Sequence, residues 1–421
     1  MTTPPFGFQS SGGDDESNES TPANPFAALG GTPDLGAMLH QLGDLMSGET
    51  GPVNWTVARQ SAMAVIGADT GTTTTDTREV ADAVNLADLW LNPATALPSG
   101  VTSTEAWSRR RWLEATRPAW TELVEPVAAR VGGAMGEALP EEMRAMAAPL
   151  MGVMNQVGGL MFGGQVGQAL GELATEVVSA TDVGLPLGPD GVAALLPESV
   201  RGLGTGLQVP LDEVRLFVAL REAAHHRLFS HVPWLKGHLL AAVRSYAEGI
   251  SVDTSRFEEL AAGLDPSDPE AMQRAVGEGL FQPASTPAQD AALLRLETAL
   301  ALVEGWVDTV AAAAASATLP SFAALQETMR RRRASGGPAE RTFASLVGLE
   351  LRPRRLREAA QLWQRLTDVR GIDDRDAVWS HPDLLPGPED LDDPSGWVER
   401  GATDEPFDLS QLDDGGEAPT E

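Results

Sequence analysis

Cysteine is absent from all 421 residues. That excludes disulfides, thiolate metal sites, iron–sulfur clusters and cysteine nucleophiles together. Bases are scarce as well: 30 against 60 acids, for a net charge of -30. Such a balance argues against gripping a phosphate backbone, and no basic groove pattern is present, so no nucleic-acid partner is expected. The glycine-rich run 158–171 lacks the G-K-[ST] ending of a phosphate loop. No stretch of about 20 residues is free of polar side chains, so no membrane partner or span is expected. The opening MTTPPFGFQSSGGDDESNES has neither the basic nor the apolar region of a signal peptide. A cytoplasmic protein is the expectation.

What is present suits a folded body with charged ends. The chain is 42% hydrophobic, enough for a sizeable core at this length. Residues 1–50 carry seven acids and no base, and residues 382–421 carry 13 acids against the single Arg400. Both ends are rich in Pro, Gly, Ser, Asp and Glu, which bury too little apolar surface to offset chain entropy. The expected organisation is a disordered acidic N-terminal tail over 1–50, a mainly helical body over 51–381, and a disordered acidic C-terminal tail over 382–421. Phe407, Leu409 and Leu412 form a candidate docking segment within that last tail.

The body reads as helix nearly throughout. Asp76 and Glu79 have capping-box spacing ahead of Val80, Val84, Ala87 and Leu91 on one face. Thr286-Pro287-Ala288-Gln289 repeats the signal with proline at the first helical position, and the Ala/Leu run after it reaches about Ala315. A further helix is expected from Pro353 to Val369 with Gly371 as its stop, and residues 345–351 are the one candidate extended stretch. Gly159, Gly163, Gly167 and Gly171 recur every four residues, a bare stripe that lets a second helix backbone approach. The arginine run 330–333 reads as a solvated helix end. In RDAVWSHPD, Trp379 reads as an anchor for the closing segment, with His381 held extended before its proline.

Chemistry concentrates in one place. Four of the six histidines, His225, His226, His231 and His238, fall within VPLDEVRLFVALREAAHHRLFSHVPWLKGHLL. Asp212 is the expected N-cap and Pro233 the stop. At about 100° per residue, Val214, Val218, Arg221, His225, Leu228 and Phe229 share one face. The helix is apolar around most of its circumference and is therefore expected to be buried. Buried ionisable groups need partners, so the cluster is either a site or a closed polar network. In the network alternative, Arg221 and His225, one turn apart, share a carboxylate from a neighbouring helix, and His226 and His231 are surface residues.

The stretches GQVGQALGELATEVVSATDVGLPL, REAAHHRLFSHVPWL and RDAVWSHPDLLP resemble the actinobacterial zincin-like metallopeptidases, also described as hydrolases, over most of the body. Some members carry an intact H-E-x-x-H where this chain has Arg221-Glu222-Ala223-Ala224-His225. The resemblance implies a zincin-like helical body, zinc as cofactor, and hydrolysis of a peptide or small-molecule substrate. It also implies Glu222 as catalytic base and His225 as a zinc ligand. Arg221 departs from the pattern, because a guanidinium offers no lone pair. Two residues stand at spacings that suit a replacement ligand: His231, ten positions after Arg221, and Glu248, 23 after His225. The candidate metal set is therefore His225, His231 and Glu248. The alternative is an inactive zincin-like scaffold acting as an interaction protein, its acidic tails engaging a basic protein partner.

Overall fold

The computed structural model describes residues 51–137, 141–248, 286–334, 342 and 355–403. In chain order the described elements are α1 (Trp55–Ile66), α2 (Thr74–Leu91), β1 (Ser103–Ala106), α3 (Arg109–Glu137), α4 (Glu141–Glu176), β2 (Val192–Leu195) and α5 (Pro197–Gly204). Then follow α6 (Leu211–His231), α7 (Pro233–Glu248), α8 (Pro287–Ala315), α9 (Phe322–Ala334), α10 (Leu356–Ala377), α11 (Pro388–Asp392) and α12 (Pro394–Thr403). The fold is mainly α, as expected. Its one sheet among the described residues is a parallel pair, β1 on β2, with Ser103 opposite Val192 and Ala106 opposite Leu195. The stretches 345–351 and Phe407, Leu409 and Leu412 lie outside the described residues.

Helix α6 is the axis of the body. From Val214 to Leu228 it is buried almost without interruption, and α2, α5, α8, α9 and β2 pack around it. Its N-cap is Pro210, which corrects the expected Asp212, the second residue of the helix, and it runs to His231; Pro233 then opens α7. Helix α8 crosses α6 and also packs on α7 and α10. It begins as its sequence dictates, at Thr286 with a capping box to Gln289 and proline in the first turn, and ends at Ala315. By length and apolarity α8 would pass for a membrane span, but most of it is covered by the protein.

The glycine stripe is a packing device. Along α4 it faces α1 so closely that a methyl group on Gly163 would run into the Asn54 carbonyl oxygen, and one on Gly167 into that of Ala58. The Asn54 amide donates to the Gly159 carbonyl at 3.0 Å, which fixes the register of the pair.

Three further boundaries differ from the sequence expectation. Helix α2 begins one turn early, capped by Thr73, whose hydroxyl accepts from the Asp76 amide while the Asp76 carboxylate accepts from the Thr73 amide. In that threonine-rich run Asp76 is the third helical residue and not the cap. Gly371 is a kink with φ 88, after which helix resumes to Ala377. The body also continues past residue 381, correcting the tail boundary at 382: α11 and α12 fold back beside α10, with Leu391 and Val398 fully buried. A few well-placed apolar side chains outweigh an acidic composition there.

The closing segment holds as the sequence implies. Trp379 is 2% exposed and stacks on Trp363 and Trp234, while the Trp234 indole donates to its carbonyl at 3.0 Å. Beside it, buried Asp376 accepts from Thr95, Ala96, Trp306 and Arg375. His381 is exposed and caps the short turn after it through Nδ1, which accepts from the Asp383 amide at 3.2 Å.

Candidate functional site

Because α6 is buried on every side, its polar residues must find partners within the protein, and they do so on two adjacent faces about 100° apart. Glu222, with no exposed surface, faces the sheet. One carboxylate oxygen accepts from the Thr181 amide at 3.1 Å and its hydroxyl at 2.6 Å. The other accepts from the Ala194 amide at 3.2 Å and faces His226 Nε2 at 3.2 Å. Burial would raise the Glu222 carboxyl, but the His226 ring and the hydroxyls of Thr181 and Ser179 outweigh it and hold it below its ordinary value. Four contacts leave Glu222 clamping β2 and the 179–181 segment onto α6. His226 is 7% exposed and belongs to this clamp, which corrects the surface placement.

The second face carries Arg221 and His225, and both meet Glu304 of α8. Arg221 Nη2 lies 2.5 Å from Glu304 Oε2, and its Nη1 lies 3.2 Å from Asp308 one turn further along α8. His225 Nε2 lies 3.1 Å from Glu304 Oε1, and its Nδ1 lies 2.8 Å from the Arg221 carbonyl. From α9, Arg333 reaches Glu304 Oε2, Arg330 reaches Asp308 at 2.7 Å, and Arg332 reaches Asp182 at 3.1 Å. The arginine run is thus no solvated helix end: only Arg331, 79% exposed in its side chain, behaves that way. The carboxylates that draw the other three inward come from α8 and from the segment before β2, far away in sequence.

The shared-carboxylate alternative is therefore the arrangement found, with Glu304 as the shared group. Sequence reasoning missed Glu304 and Asp308. The available signal was that they are the only acids in the apolar run ALALVEGWVDTVAAAAA, spaced one helical turn apart. Burial would raise the Glu304 carboxyl, but Arg333, His225 and Arg221 overcome it and hold the group well below 4.5. The Arg333 guanidinium is correspondingly raised, against burial, by Glu304, Asp182 and Asp308.

A pH effect follows, with its sign set by that depression. A carboxylate whose folded pKa lies below its unfolded one contributes its full stability above the unfolded value and loses it as pH falls through the folded value. The Glu304 contribution is thus complete at neutral pH and declines below 4.5. Thermal unfolding scanned from about pH 7 to about pH 3 should show a falling midpoint, with a shallower decline in Glu304→Gln.

Do these residues suit a metal? His225 turns both ring nitrogens to acceptors, so neither presents a lone pair to an open coordination position. Arg221 has none to offer, and Glu304 is occupied by two guanidinium groups. His231 sits at the C-terminal end of α6 with Nδ1 at 2.9 Å from the Arg227 carbonyl, and Glu248 is an exposed residue at the end of α7. The structure does not bring His225, His231 and Glu248 together: among the described residues no group of three or more His, Asp or Glu is arranged for a metal ion. The donor set present does not fit zinc. An apolar pocket between α3, α7 and α8, with an empty volume of about 420 Å³, is lined by Leu123, Leu185, Leu239 and Leu296, and neither Glu222 nor Glu304 borders it.

A family profile described as zincin-like metallopeptidase matches residues 53–398. The chain belongs to the zincin-like metallopeptidase family. Its match spans nearly all of the body, including α11 and the first half of α12, which composition had assigned to a tail. Among solved structures, a protein from Chloroflexus aurantiacus described as a "putative hydrolase with a novel fold" is similar, with a TM-score of 0.57 and 22% identity over 84% of this chain and 100% of that one. That likeness concerns the fold. No curated protein matches. Within this zincin-like chain, the R-E-x-x-H segment lies on a buried helix, its glutamate and its histidine facing different partners.

Proposed function

We propose that this zincin-like protein works without zinc hydrolysis, as a folded scaffold that binds another macromolecule. One observation carries the reading: the guanidinium of Arg221 lies on Glu304 and Asp308 beside His225, filling with a fixed cation the place where metal chemistry would need lone pairs. The partner class that suits the chain is a basic protein surface, given the net charge of -30 and the base-free acidic segments 1–50 and 401–421. Thermal unfolding tests the metal part: the midpoint is expected to be the same with chelator, without it, and with added zinc. A midpoint that rises with zinc would overturn the reading, because any ligand that binds only the native state stabilises it.

The metallopeptidase reading is the second one, supported by the family match and by the retained Glu222 and His225. Glu222→Gln separates the two. As a catalytic base, Glu222 would be lost with the fold unaffected. As the clamp described above, its replacement loses one acceptor facing buried donors and is expected to cost about 1–3 kcal/mol of stability in chemical denaturation. A stable Glu222→Gln protein that has lost a hydrolytic activity of the parent would favour the enzyme.

A further inference from the structure

The pocket between α3, α7 and α8 has apolar walls and a charged mouth. Lys236, Leu239, Leu240 and Val243 line it from one face of α7, at the i, i+3, i+4, i+7 spacing, and Leu296 and Leu300 line it from α8. Leu239, Val243 and Leu296 are buried, whereas Lys236 and Glu122 of α3 are exposed at the mouth. Those two are the only lining residues whose side chains carry charge or can hydrogen-bond. Glu122 is answered by Arg244 at 3.6 Å. Lys236, the one lysine of the chain, has no hydrogen-bond or ion-pair partner among the described residues.

We propose that this pocket binds an aliphatic carboxylate of medium chain length, with its tail among the leucines and its carboxylate on the Lys236 ammonium. The walls select the tail: a sugar, a nucleotide or a peptide backbone would leave its polar groups unpaired there, at a cost a hydrocarbon does not meet. The mouth selects the head. Its acid already has a cation, and its remaining charge is a positive one without an anion, so the complementary group is negative. The volume selects the length. About 420 Å³, open mouth included, lies at the low end of the range of about 300–1,000 Å³ for small-molecule sites, which suits a single short chain and not a two-tailed lipid. The site stands apart from Glu222 and Glu304, so it does not depend on whether the chain holds zinc.

The full chain is titrated calorimetrically with hexanoate, octanoate and decanoate below their micellar concentrations. Affinity is expected to rise by up to about fourfold per added methylene as more of the tail leaves water. Decanol, with the same tail and no charge, is expected to bind about three- to fivefold more weakly than decanoate, the upper range for an exposed ion pair. Lys236→Met, a change at an exposed position that leaves the core walls intact, is expected to weaken decanoate by the same factor and decanol not at all. Because Lys236 is the only lysine, its acylation by an amine-reactive ester locates the ligand: decanoate is expected to slow it and to leave the N-terminal amine unaffected. Absence of decanoate binding, or binding that leaves the acylation of Lys236 unchanged, overturns the site. Equal affinity for decanoate and decanol, or no effect of Lys236→Met on decanoate, overturns the assignment of a carboxylate.

Discussion

Glu304→Gln is expected to lower the unfolding free energy by about 3–5 kcal/mol, the range seen when one member of a buried ion pair is removed and its partners stay charged. Three groups lose their anion at once: Arg221, His225 and Arg333. All three keep a second contact, Arg221 to Asp308, Arg333 to the Asp182 carbonyl and His225 to the Arg221 carbonyl, which holds the loss within that range. The variant is nearly isosteric, so packing contributes little to the difference. Urea denaturation of the variant beside the parent measures it. A loss below about 1 kcal/mol, typical of exposed pairs, would mean that water reaches the cluster and that Glu304 is no keystone.

Gly167→Ala is expected to cost about 1–3 kcal/mol, the usual range for forcing an extra carbon into a packed interface. The sign is the informative part, since alanine is the better helix former by about 1 kcal/mol. On an exposed helix the change would stabilise. Here the new methyl meets the Ala58 carbonyl and the Ser61 side chain of α1, so α1 and α4 must separate. Gly164→Ala, one turn earlier, is the internal control, because nothing lies near the position its Cβ would take. Opposite signs for the two variants in thermal unfolding would establish the close helix pair.

Local signals were legible in the sequence, and distant partners were not. The start and end of α8 could be read from Thr286, Gln289 and Ala315 because capping is settled within one turn. Burial of α6 followed from its apolar circumference, and the stripe on α4 from the spacing of its glycines. What completes the site lies 79 to 83 residues further along the chain: Glu304 contacts His225 and Arg221 across that separation. No periodicity connects those positions, although two isolated acids in an apolar helix were a usable sign of buried polar pairing. Separations of 22 to 150 residues likewise hide the partners of the α9 arginines. Composition describes a solvated end, and only the fold places Asp182, Glu304 and Asp308 beneath it. Spacing also offered His231 and Glu248 as ligands, yet both stand at helix ends.

The most direct test of the central claim is metal analysis by mass spectrometry of the full chain, purified without a metal-affinity tag and measured again after incubation with zinc and desalting. The account predicts no stoichiometric zinc in either sample, and no change on His225→Ala. About one zinc per chain that disappears in His225→Ala would contradict it, since His225 would then have to leave Glu304 to coordinate a metal.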